Sequence, residues 1–130
     1  MVSIVDKRRM AVERIEYSRE LIEGFRRKGV VLPSSLRLLK DAERELSGKN
    51  YDKALVISKN AQSDAKKRYR EFLRSQDLLK KIDAIKRTAP PEVVESIERA
   101  LKESKGYLTS GQYGKFNRVA ENLIQELRSD

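Results

Sequence analysis

The 130-residue chain has no cysteine, no histidine and no tryptophan, and only three prolines and six glycines. Each absence excludes something. Without cysteine or histidine there is no thiolate or imidazole metal site, no histidine general base and no cysteine nucleophile. Disulfides are ruled out, so the sequence does not record a redox compartment, and a cytoplasmic location is the default expectation. Long apolar runs are also missing. Ala54-Leu55-Val56-Ile57 and Val30-Val31-Leu32 fall far below the ~20 residues needed to span a bilayer, so no membrane insertion is expected. The opening stretch MVSIVDKRRMAVERIEY has neither an apolar core nor a cleavage site, which argues against a secretory signal.

Charge is abundant. Lys and Arg number 29 against 20 Asp and Glu, a net charge of +9, and charged residues make up 38% of the chain. Opposite signs are interspersed and apolar residues recur at regular spacing, the pattern of a folded rather than a disordered chain. The wealth of Lys, Arg and Glu without cysteine is compatible with a thermophilic protein. The length suits a single helical domain over residues 1–130.

Six segments carry the helical 3–4 spacing. The first holds Ala11, Ile15, Ser18, Ile22 and Phe25 and stops at Arg26-Arg27-Lys28-Gly29, where cations face the negative helix end and glycine accepts a left-handed cap. Pro33-Ser34-Ser35 starts the second, with serine side chains available to cap, and Leu39, Ala42 and Leu46 form its face up to Ser47-Gly48. The third begins near Asn50 with Ala54, Ile57, Ser58, Ala61, Ala65 and Phe72. No Gly or Pro interrupts residues 49–89. A break at Ser75-Gln76-Asp77 is nevertheless expected, with Asp77 capping a fourth helix of Leu78, Ile82 and Ile85 that stops at Thr88-Ala89-Pro90-Pro91. Val94, Ile97, Leu101, Ser104 and Leu108 mark the fifth, and Phe116, Ala120, Leu123 and Leu127 the sixth. The expected fold is an all-α six-helix bundle.

An internal correspondence organises these segments. Shifted by 62 residues, Leu39 falls on Leu101, Leu46 on Leu108, Tyr51 on Tyr113, Lys53 on Lys115 and Asn60 on Asn122. Core positions keep the same register, and a shift of 60 sets Ile22 on Ile82 and Phe25 on Ile85. Residues 36–65 and 98–127 share seven identities in 30. Chance alignment of two amphipathic hairpins accounts for that number as well as duplication does. Under duplication, the chain is two related three-helix units, residues 6–74 and 77–128.

In both hairpins a small turn with glycine precedes a tyrosine: Ser47-Gly48 before Tyr51, and Ser110-Gly111 before Tyr113. With Ser104, Tyr107 and Ala120 in the second hairpin, this resembles the tetratricopeptide repeat. It departs from that family in having no 34-residue period, Phe116 at a usual alanine position and no closing proline. The same hairpin is similar to HEPN-type helical bundles, some of which are ribonucleases with an Arg–His motif. The chain has no histidine, so that activity does not carry over. The resemblance implies an architecture in which Gly48 and Gly111 break the helices while Tyr51 and Tyr113 plug the hairpin mouths.

Catalytic templates fail in turn. The six glycines form neither a dinucleotide fingerprint nor a phosphate loop, and no Ser-x-x-Lys lies in a glycine-bearing turn. Glu92, Glu95 and Glu98 share a helix face, as do Glu13, Glu16, Glu20 and Glu23, but the histidine of carboxylate-bridged dimetal bundles is missing. The expectation is therefore a non-enzyme with no cofactor and no metal.

Charge is unevenly placed: residues 1–65 carry +4, 66–87 carry +6 and 88–130 carry −1. The densest cluster, Lys66-Lys67-Arg68-Tyr69-Arg70, continues to Arg74. Lys67, Arg70 and Arg74 share a helix face with Arg68 beside it, a candidate surface for phosphates on which Tyr69 offers a ring for stacking. Lys7-Arg8-Arg9 and Arg26-Arg27-Lys28 add basic ends. A solvated face explains the same residues. The sequence thus points first to a non-catalytic protein–protein interaction module, an adaptor or self-assembling subunit. Nucleic-acid binding through the basic face of residues 66–87 is the alternative.

Overall fold

The computed structural model describes residues 3–129. These form five helices: α1 (Ile4–Arg27), α2 (Pro33–Ser47), α3 (Tyr51–Thr88), α4 (Pro91–Thr109) and α5 (Tyr113–Arg128). The fold is all-α, as expected, but with five helices where six were expected. The break at Ser75-Gln76-Asp77 does not occur, because the groups that suggested it are occupied otherwise. The Ser75 hydroxyl lies within hydrogen-bond reach of Asn117 Oδ1 (2.6 Å) and of the Glu71 carbonyl (3.1 Å). Asp77 pairs along the helix with Arg74 (3.2 Å) and Lys81 (3.3 Å), the ladder of an uninterrupted helix surface rather than a cap.

The chain divides into two compact units, Met1–Tyr69 and Arg70–Asp130. In unit 1, α1 packs on α2, and both meet the N-terminal half of α3. Its core joins Ala11, Ile15 and Ile22 of α1, Leu39 and Ala42 of α2, and Val30 and Leu32 of the connection to a small-residue stripe on α3. That stripe, Ala54, Ser58, Ala61 and Ala65, is wholly buried. The buried Ser18 hydroxyl donates to the Ser58 carbonyl at 2.8 Å, tying α1 to α3 where no bulky side chain intervenes.

Local chemistry sets the helix ends. Ser3 caps α1 by accepting from the Asp6 N–H at 3.1 Å. Gly29, at φ 94°, closes the same helix, with Val30 N–H returning to the Phe25 carbonyl at 3.2 Å. The start of α2 differs from expectation. Leu32 is its N-cap and makes no side-chain cap bond. Ser34 and Ser35 instead donate to the Asp64 carboxylate on α3, at 2.6 and 2.7 Å. An acid on a neighbouring helix thus meets the positive end of α2.

Unit 2 combines the C-terminal half of α3 with α4 and α5. Leu78, Ile82, Ile97, Phe116, Ala120 and Ile124 form its core, with Leu79, Leu101, Leu108 and Leu123 packed against it. Asn117 Nδ2 donates to the Glu71 carbonyl at 3.0 Å, so the Ser75–Asn117 contact belongs to a small buried polar network between α3 and α5. The buried Ser104 hydroxyl is satisfied by the Ala100 carbonyl at 2.9 Å. Among the described residues no buried side-chain polar atom lacks a partner.

The two hairpin turns share one backbone pattern. Gly48, Lys49 and Asn50 donate to the carbonyls of Arg44, Leu46 and Glu45, while Ser110, Gly111 and Gln112 donate to those of Gly106, Leu108 and Tyr107. Each bond of the second turn is the corresponding bond of the first, 62 positions on. The left-handed residue of each turn is Lys49 (φ 64°) and Gly111 (φ 77°). Gly48, at φ −81°, is therefore not the residue that needs glycine's freedom in the first hairpin. Lys49 takes that conformation.

Candidate functional site

The five basic residues expected to face an anion have different fates. In unit 1, Lys66 and Lys67 are exposed, while Arg68 reaches Asp64 at 3.6 Å. In unit 2, Arg70 is exposed, but Arg74 is held by Glu121 and Asp77, both at 3.2 Å. Tyr69 does not offer a free ring. It stacks on Phe25 with centroids 4.3 Å apart and planes 12° apart, and Lys28 lies 5.0 Å from its centroid. Among the described residues, Lys66, Lys67 and Arg70 are the members of the expected set that face solvent without an ion pair.

The hairpin tyrosines also separate. Tyr113 is 2% exposed and meets Phe72 edge-on at 5.5 Å, a favourable aromatic geometry. Tyr51 is only half-buried. Gly114, in the first turn of α5, lies against the Glu71 carboxylate, and this close approach leaves no room for a Cβ at that position unless Glu71 moves.

Unit 2 also carries an apolar groove. Between α3 and α4 lies a groove of about 370 Å³, floored by Leu79, Leu101, Leu108 and Phe116 and rimmed by Glu98, Lys102 and Lys105. Glu98 is paired with Lys86 at 3.4 Å. Lys102 and Lys105 are exposed and make no ion pair among the described residues.

In unit 1, the positions matched by the two sequence shifts carry a charged pair. At the shift of 60, the fully buried Ser18 and Ile22 of α1 correspond to Leu78 and Ile82 of α3. At the shift of 62, Ala42 of α2 corresponds to Ser104 of α4, both buried. Between these matched positions, Arg19 corresponds to Leu79 and Glu43 to Lys105. Arg19 and Glu43 bond across α1 and α2 at 2.9 Å. Leucine and lysine cannot make that bridge. The two shifts, read together on charged positions rather than on core positions alone, carry the signal in the sequence.

Among the described residues no group of three or more carboxylates converges as a metal site. No helix among the described residues is long and apolar enough to cross a membrane. A larger cleft of unit 2, about 580 Å³ between α3 and α5, holds Arg74, Lys81 and Arg128. Arg74 and Lys81 are already committed to Glu121 and Asp77, which weakens it as an anion site. In comparisons with known proteins, no family model matches this chain, and neither a curated protein nor a solved structure matches it.

Proposed function

We propose that the chain is a non-catalytic protein–protein interaction module built of two related three-helix units, with the groove of unit 2 as its binding surface. The observation that carries this reading is the half-buried apolar strip at Leu79, Leu101 and Leu108, over the buried Phe116, where the matching positions of unit 1 carry the Arg19–Glu43 bridge. A groove floored by leucine and phenylalanine and edged with polar side chains has the anatomy of a protein-binding site. The shared turn geometry supports descent of both units from one hairpin design. Site-specific photo-crosslinking tests the reading. A crosslinker at Lys102 should give a discrete polypeptide adduct in cells, whereas one at Lys40, its counterpart in unit 1, should not. Equal labelling at both positions, or none at Lys102, refutes it.

Nucleic-acid binding is the second reading, favoured by Lys66, Lys67 and Arg70, which are exposed and unpaired. It loses support from Arg68 and Arg74, which have acidic partners, and from Tyr69, whose ring is stacked on Phe25. Adducts removed by nuclease would favour it.

A further inference from the structure

We infer that the groove of unit 2 takes an acidic amphipathic helix; this names the partner class for the proposed binding surface and rests on that reading. Leu101 and Leu108 stand seven residues apart on α4, and α3 supplies Leu79 alongside them. An apolar strip of about two helical turns matches a helix that presents apolar side chains at i, i+3 or i+4, and i+7. A β-strand has no unpaired sheet edge to join here, because the described residues contain no strand.

Charge selects the sign of the partner. Lys86 neutralises Glu98 at 3.4 Å, which leaves Lys102 and Lys105 as the unpaired charges on the rim. They sit at i and i+3 on one helix, so they repel each other in the free protein. Carboxylates flanking the partner's apolar stripe would relieve that repulsion and pair with both. The chain's net charge of +9 steers acidic partners in the same direction.

Two helical probe peptides of roughly 18 residues, or five turns, test this. Both carry the same leucine stripe, flanked in one by glutamates and in the other by lysines. In fluorescence anisotropy with the full chain, the glutamate probe should bind at least about tenfold more tightly than the lysine probe. The double variant Lys102→Glu/Lys105→Glu should reverse that order. A second double variant, Leu79→Arg/Lys105→Glu, installs in unit 2 the bridge that unit 1 already has. It should lose glutamate-probe binding while keeping helical content. Because Leu79 also packs against the core, its melting point is read alongside, and Lys102→Glu/Lys105→Glu, confined to exposed positions, carries the charge test free of any change in packing. Equal affinity for the two probes overturns the inference, as does glutamate-probe binding unchanged by the Leu79→Arg/Lys105→Glu variant. A dimer of the wild-type chain that this variant dissolves would make a second copy the occupant and overturn it too. The two readings fail separately. A protein adduct at Lys102 without charge preference between probes removes only the acidic helix. The absence of any adduct there removes the module itself.

Discussion

Ser75 and Asn117 provide a sharp test of why α3 does not break. Both are buried, at 1% and 7% exposure, and their side chains meet at 2.6 Å. Ser75→Ala strands Asn117 Oδ1 without its donor. An unsatisfied buried acceptor costs about 1–3 kcal/mol, and alanine's higher helix propensity returns about 0.5 kcal/mol, so the net loss is on the order of 1–2 kcal/mol. Asn117→Ala removes that contact together with the 3.0 Å bond to the Glu71 carbonyl, but Ser75 keeps its own bond to Glu71 at 3.1 Å. Two lost hydrogen bonds and a small void give about 2–3 kcal/mol. Once Asn117 is gone, Ser75→Ala orphans nothing. The double variant should therefore cost little more than Asn117→Ala alone, with a coupling of about 1 kcal/mol. Equilibrium urea unfolding followed by circular dichroism measures all three variants. Additivity within about 0.3–0.5 kcal/mol, the behaviour of independent sites, would refute the network.

The hairpin turns predict opposite signs from one backbone conformation. Lys49→Gly should raise stability by up to about 1 kcal/mol, because a left-handed lysine is strained, whereas Gly111→Ala should lower it by a similar amount; thermal melts read both, and equal signs would sink the assignment. Tyr113→Ala should cost about 3–4 kcal/mol in urea unfolding, as for other buried aromatics, and Tyr51→Ala clearly less, since its ring is half-buried; similar costs would contradict the difference in burial. If nucleic acid is the ligand, the log–log salt dependence of binding should fall with a slope of about −0.9 per duplex phosphate neutralised. Lys66→Glu/Lys67→Glu/Arg70→Glu should flatten that slope, and an unchanged slope would place the contact elsewhere.

The helices and most of their ends were legible in the sequence because they depend on local chemistry. Periodicity placed each apolar face. Gly29, Pro33, the Pro90-Pro91 pair and Gly111 marked stops and starts that the structure contains. What escaped depends on partners distant in the chain. Ser75 reads as a helix break until Asn117, 42 residues away, is seen to hold its hydroxyl. Ser34 and Ser35 read as caps until Asp64 is found opposite them. Tyr69 reads as a stacking ring until Phe25 covers it. The groove is the subtlest case. Its lining comes from α3, α4 and α5, and no single segment contains it.

Five serines lie in the interior, Ser18, Ser35, Ser58, Ser75 and Ser104, none more than 4% exposed. A kinase needs the hydroxyl on a strand of chain it can grasp, and a phosphoryl group adds close to two negative charges. None of these five can be reached, or can accommodate that charge, while the helices are packed. Serine phosphorylation of the folded protein is confined to outward serines such as Ser47, Ser63 and Ser96. Phosphate found on an interior serine would instead date the modification to before the chain folded.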